Sequence, residues 1–141
     1  KHNKKYYLIV LLQPTSPIRT GRQIDDVIKM FEQDNKLDEV ISVVPMDDTH
    51  PARMYNLDKD NLMIPLDFKL EKTRRQKLPI VYYRNGCIYA IRTKLLLHKK
   101  SLINENKKAY VMPLSWLANI DDERDLIIAD ALVKEWKEGR L

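Results

Sequence analysis

Near the start of the chain, Gln13-Pro14-Thr15-Ser16-Pro17-Ile18-Arg19 gathers an amide, two hydroxyls and a guanidinium between and around two prolines. These groups suit an anionic or polyhydroxy ligand. Pro14 and Pro17 fix φ at their own positions and bias Gln13 and Ser16 away from helix, so the cluster is stiff. An ordinary polar strand-to-helix turn is the competing reading. Three more places carry usable chemistry. In Lys72-Thr73-Arg74-Arg75-Gln76, Arg75 offers a planar fork that can grip a carboxylate, or it belongs to a solvated basic run. In Arg84-Asn85-Gly86-Cys87-Ile88-Tyr89, Tyr89 offers a hydroxyl or a ring face, or packs in the core. Cys87 sits in an apolar run and reads as a buried, inert thiol. In Asn119-Ile120-Asp121-Asp122, side-chain oxygens are available to a divalent cation or to a helix N-terminus.

The elements that would position these groups follow from hydrophobic periodicity. Tyr6-Tyr7-Leu8-Ile9-Val10-Leu11-Leu12 has no polar alternation and reads as a strand buried on both faces, as in a parallel sheet. Ligands of open α/β sheets bind just beyond the carboxyl ends of such strands, where Gln13, Thr15, Ser16 and Arg19 fall. After Thr20, a possible N-cap, the apolar residues Ile24, Val27, Ile28 and Phe31 form one helical stripe. Val40-Ile41-Ser42-Val43-Val44 is a second strand, stopped at Pro45, which completes a βαβ unit.

From Met46 to Pro79 the pattern breaks up. Met54–Leu57 and Leu62–Ile64 flank Asp58-Lys59-Asp60-Asn61 and read as a hairpin. The segment is too poor in apolar residues to be a domain alone and reads as an insertion that packs on something else, such as a second subunit. Residues 80–91 return to β character. Asn85-Gly86 is either a hairpin turn or, inside one strand, a bulge or close backbone approach. Thr93 starts a short helix, Tyr110–Met112 is a brief strand, and Leu126, Ala129, Leu132, Val133 and Trp136 mark a last helix capped by Asp121 or Asp122. The order β-α-β-(insertion)-β-(short α)-β-α is an α/β layered domain spanning 1–141, with the insertion at 46–79.

The chain has 141 residues, enough for one domain with a real core. A single cysteine permits no internal disulfide and favours a reducing, cytoplasmic setting. There is no apolar run of membrane-spanning length and no secretory pattern. The net charge of +5 is dispersed, and no nucleic-acid signature accompanies it.

The motifs 11–19, Arg74-Arg75-Gln76-Lys77-Leu78-Pro79, 84–89 and Ile120-Asp121-Asp122-Glu123-Arg124-Asp125-Leu126, in this order and spacing, resemble the acylneuraminate cytidylyltransferases, or CMP-sialic acid synthetases. The resemblance implies a Rossmann-like nucleotide-diphospho-sugar-transferase fold of three α/β/α layers. It implies a homodimer formed through the insertion, and transfer of CMP from CTP to a nonulosonic acid with release of pyrophosphate. The family's sugar contacts fall on Gln13, Thr15, Ser16, Arg75, Gln76, Asn85 and Tyr89. Its Mg²⁺ site falls on Asp121, the catalytic carboxylate, and Asn119. Relatives that activate legionaminic or pseudaminic acid share the pattern.

Two departures stand out. No Gly/Lys/Arg-rich phosphate loop occurs, so the chain resembles the family's C-terminal two-thirds, an N-terminally truncated enzyme expected to be inactive alone. Also, Asn119 stands where the family usually has a first metal Asp, and it offers oxygen without charge. A non-catalytic dimerising or sugar-binding module is the alternative.

Overall fold

The computed structural model describes residues 4–46 and 48–141. It divides into two compact units, one of Lys1–Val44 with Arg84–Leu141 and one of Pro45–Tyr83. Strands β1 (Leu8–Leu11), β2 (Glu39–Met46), β5 (Val81–Arg92) and β6 (Lys107–Val111) form a sheet ordered β1-β5-β2-β6. The helices are α1 (Gly21–Gln33), α2 (Thr93–Lys99) and α3 (Glu123–Lys137). β2 and β6 are parallel, in register from Glu39 opposite Lys107 to Val43 opposite Val111. The second unit holds a two-stranded antiparallel sheet of β3 (Tyr55–Leu57) and β4 (Met63–Pro65). The observed mixed sheet with helices and a small second sheet is a Rossmann-like α/β fold.

The core explains why these elements form. Every residue of β2 from Glu39 to Val44 is buried, so both faces of the sheet are covered at its centre. The α1 stripe forms as read, with Val27 and Phe31 buried and Ile24 and Ile28 half-buried. The buried Gln23 also takes part, since its Oε1 accepts the Thr20 N–H at 2.9 Å. On α3, Ala129 is buried with Ile18 and Ala118, and Leu132, Val133 and Trp136 pack against them.

Three expectations need correction. β1 is an edge strand, antiparallel to β5 rather than parallel to a neighbour, with Leu8–Val10 half-buried and Leu11 exposed. An apolar run reports what a strand can bury, not the direction of its neighbour, and an edge strand has a neighbour on one side only. β2 does not stop at Pro45 but runs to Met46. Pro45 lies past the last residue paired with β6, so its missing N–H costs no bond in that ladder. Leu126 is outside the buried stripe of α3 and is exposed together with Ile127 and Ile128. Residues 81–92 form one strand, which selects the within-strand alternative for Asn85-Gly86 over the hairpin.

Two features missed by periodicity lock the units internally. Arg92 Nε donates to the Leu37 carbonyl at 2.8 Å, and its Nη2 to the carbonyls of Phe31 and Asp34 at the end of α1, both at 3.3 Å. The guanidinium also lies over the Phe31 ring, 5.5 Å from its centroid. In the second unit, Arg53 donates to the carbonyls of Glu71 and Thr73 at 3.0 and 2.7 Å, tying down the loop after the hairpin. No helix among the described residues is long and apolar enough to cross a membrane.

Arg92→Ala should lower stability by about 2–3 kcal/mol in urea unfolding, the usual cost of losing hydrogen bonds from a charged group. Arg92→Lys should recover less than half, because an ammonium cannot reproduce the fork. An Arg92→Ala midpoint equal to wild type would contradict the clamp.

Candidate functional site

The cluster that follows β1 folds over the middle of β5. Gly86 has φ +73°, the left-handed region that a side chain disfavours. A Cβ added there would lie 2.5 Å from Gln13 Oε1 and 2.7 Å from Ser16 Oγ. The two polar side chains therefore rest directly on the Gly86 backbone, and the close-approach reading of Asn85-Gly86 is the one that holds.

The loop above Gly86 is fixed from several sides. Arg19 Nη1 donates to the carbonyls of Gln13 and Ser16 at 2.9 and 2.6 Å. The Ser16 N–H returns to the Gln13 carbonyl at 3.2 Å, and the Ile120 N–H donates to the Thr15 carbonyl at 2.9 Å. Ser16 Oγ donates to Asn119 Oδ1 at 3.3 Å. Arg19, read as a candidate ligand group, commits its Nη1 to its own loop.

Asn85 is also reassigned. It is fully buried, and its Oδ1 accepts from Ser42 Oγ at 2.6 Å and from the Cys87 N–H at 3.3 Å. Its Nδ2 points to Met112 Sδ at 3.3 Å. Ser42 Oγ in turn accepts the Ile88 N–H at 2.8 Å. With every polar atom of its side chain occupied in the core, Asn85 braces the Gly86 backbone from beneath and does not face a ligand. Ser42 was the missed residue, and a lone hydroxyl inside Val40–Val44 was the signal, because a buried hydroxyl needs a partner.

The remaining candidates separate into groups. Gln13 and Asn119 are half-buried, Ser16 is buried and Thr15 is exposed. Tyr89 is half-buried and pairs with Leu11 of β1, two residues before Gln13. Arg75 and Gln76 lie in the second unit, where they line a groove of about 460 Å³ with Met46, His50, Leu78, Pro79 and Ile80. Buried His50 caps the short 3-10 turn Pro51–Arg53. Its Nδ1 accepts the Ala52 N–H at 3.0 Å, which leaves Nε2–H to donate to the Pro79 carbonyl at 3.0 Å.

Asp122 caps α3 by accepting the Asp125 N–H at 2.9 Å, so Asp121 is not the cap. Asp121 is exposed, and its backbone N–H donates to Asp125 Oδ2 at 3.1 Å. No group of three His, Cys, Asp or Glu that could hold a metal occurs among the described residues. The local donors are one carboxylate, Asp121, and one neutral carbonyl, Asn119, which already accepts from Ser16. That set fits only a cation that brings further oxygens with it, as Mg²⁺ does when it arrives on phosphates.

No family model matches the chain. It is 29% identical over 125 residues to an N-acylneuraminate cytidylyltransferase of Escherichia coli O18:K1:H7, covering 88% of this chain and 29% of that protein. It is 29% identical over 118 residues to the same-named protein of Streptococcus agalactiae serotype V, covering 84% of this chain and 28% of that one. The chain resembles the N-acylneuraminate cytidylyltransferases. It is also 30% identical over 135 residues to the post-translational flagellin modification protein B of Campylobacter coli, covering 90% of this chain and 53% of that protein. The chain thus spans under a third of its cytidylyltransferase relatives and about half of the flagellin-modification relative. Among solved structures, 4-diphosphocytidyl-2C-methyl-D-erythritol synthase from Anaerococcus prevotii shares the fold. Its TM-score is 0.52 at 15% identity, over 91% of this chain and 59% of that one.

Two outcomes test the site. Gly86→Ala should cost at least about 1–2 kcal/mol for left-handed backbone alone. It should also shift the side-chain amide signals of Gln13, and unchanged stability with an unmoved Gln13 would contradict the close packing. Burial pushes the Cys87 thiol from 9.0 up to about 11, only partly offset by the positive charge of Arg19. The neutral thiol therefore favours the fold below pH 9, and that contribution is lost as pH rises from 9 toward 11. Cys87 should resist alkylation at pH 8 until the chain is unfolded. Rapid alkylation of the folded chain would contradict its burial.

Proposed function

We propose that this chain supplies the sugar-acid side of a cytidylyltransferase, in which CTP and a nonulosonic acid give a CMP-sugar and pyrophosphate. The observation that carries the reading is the stiff polar floor of Gln13 and Ser16 on Gly86, just beyond the carboxyl end of β1. The similarity to named N-acylneuraminate cytidylyltransferases over most of the chain supports it.

In this reading a sugar hydroxyl attacks the α-phosphorus, the bond to the pyrophosphate oxygen breaks, and pyrophosphate leaves. The protein's part is positioning and charge neutralisation. Gln13 orients the sugar acid through its amide, with the hydroxyls of Thr15 and Ser16 beside it and Tyr89 closing one side. Ser16, buried and turned toward Asn119, acts more on the loop than on the ligand. The guanidinium of Arg75, with Gln76, pairs with the acid's carboxylate. Asp121, with Asn119, would hold Mg²⁺ that arrives on the triphosphate, and the ion would offset charge there.

Homodimerisation through 46–79 belongs to the same proposal. It is supported by the large apolar residues that the second unit leaves exposed, among them Leu57, Met63 and Phe68. The flagellin-modification relative favours a second reading of substrate, a legionaminic- or pseudaminic-type acid in place of N-acetylneuraminate.

The test is pyrophosphate release by the full-length natural protein with CTP, Mg²⁺ and a panel of nonulosonic acids. At least one acid should support turnover. Gln13→Ala should raise KM for that acid about ten-fold, the worth of one lost hydrogen bond, with KM for CTP nearly unchanged. The isolated 141-residue chain should release none. Failure of every acid in the panel would contradict the reading.

A further inference from the structure

We propose that Asp48 is an internal competitor for Arg75, a carboxylate that occupies the guanidinium until an acidic ligand displaces it. The inference rests on the reading of Arg75 as the group that grips the sugar acid. Arg75 Nη2 lies 2.5 Å from Asp48 Oδ1, within the second unit. That is the distance of a strong charge-assisted contact, and Asp48 carries the same functional group as the proposed ligand.

The pair is also poised to open. The side chains of Arg75 and Asp48 are 63% and 81% exposed, so water and salt screen their attraction. Among the described residues that line the groove only Arg75 carries a fixed charge, and both ring nitrogens of His50 are engaged with Ala52 and Pro79.

The consequence is a threshold for ligands. An anion that meets Arg75 through one carboxylate merely exchanges one carboxylate for another and gains little. A ligand that also reaches Gln76 or other polar groups gains contacts that Asp48 does not make. Asp48 is in this sense a specificity-determining residue. It favours multi-contact acids over acetate-like anions and does not touch the reacting atoms.

The test is calorimetric titration of the full-length natural protein at low salt with N-acetylneuraminate and with its methyl ester. The proteins compared are wild type, Asp48→Asn, Arg75→Ala and the double variant. Asp48→Asn should bind the acid about two- to five-fold tighter, the range open to an exposed ion pair. Its affinity for the ester should be unchanged, and the gain should vanish when Arg75 is also replaced. Both positions are exposed, and matching thermal unfolding confirms that folding is not the source. Asp48→Asn binding the acid no tighter than wild type, while Arg75→Ala binds it worse, would overturn the competitor and leave the reading of Arg75 intact. Arg75→Ala binding the acid as well as wild type, or no acid binding by wild type, would overturn that reading and the competitor with it.

Discussion

The site depends on a place where there is no room for a β-carbon. At Gly86 the strand turns through a left-handed residue, and the space a side chain would fill is taken by Gln13 Oε1 and Ser16 Oγ. Two segments far apart in sequence are thereby brought to contact distance, and the polar ends of both side chains are set by backbone rather than by flexible neighbours. A floor built this way loses little entropy when a ligand arrives, because its geometry is settled during folding.

The surroundings serve that contact from two directions. Above it, Arg19 bridges two carbonyls of the Gln13–Ser16 turn, and Ile120 holds a third at Thr15. Below it, the buried Asn85–Ser42 pair accepts the N–H groups of the two residues that follow the bend, Cys87 and Ile88. The buried Asn85 and Ser42 sit where an unpaired polar group costs most, and their side-chain oxygens and nitrogen all have partners. The second unit carries a different kind of group, an exposed guanidinium paired with a carboxylate.

Much of this was legible in the residues. The α1 stripe, the hairpin around 58–61 and the burial of Cys87 follow from periodicity, turn chemistry and composition, and the structure agrees. What periodicity could not give was pairing direction. β1 looks like an interior parallel strand because its apolar run records hydrophobicity alone, whereas its edge position and antiparallel partner depend on β5, some seventy residues later.

The site divides in the same way. Gln13, Ser16 and Asn119 were visible as polar groups at a strand end and a helix start, and they come together. Asn85 turns inward to satisfy the core, and Arg19 commits one nitrogen to its own loop, because donor capacity does not say where a side chain points. Ser42 and Arg92 were overlooked because a single polar residue in an apolar strand, or at a strand's end, announces a need for partners without naming them.

Docking of a sugar acid on the floor at Gly86 can be followed by a nuclear magnetic resonance titration of the ¹⁵N-labelled chain with N-acetylneuraminate. The signals to follow are the backbone amide of Gly86 and the side-chain amide of Gln13. Docking there should give saturable shifts at both, larger than at α2 or at the far end of β6. Saturable shifts that spare Gly86 and Gln13, or none anywhere, would contradict it.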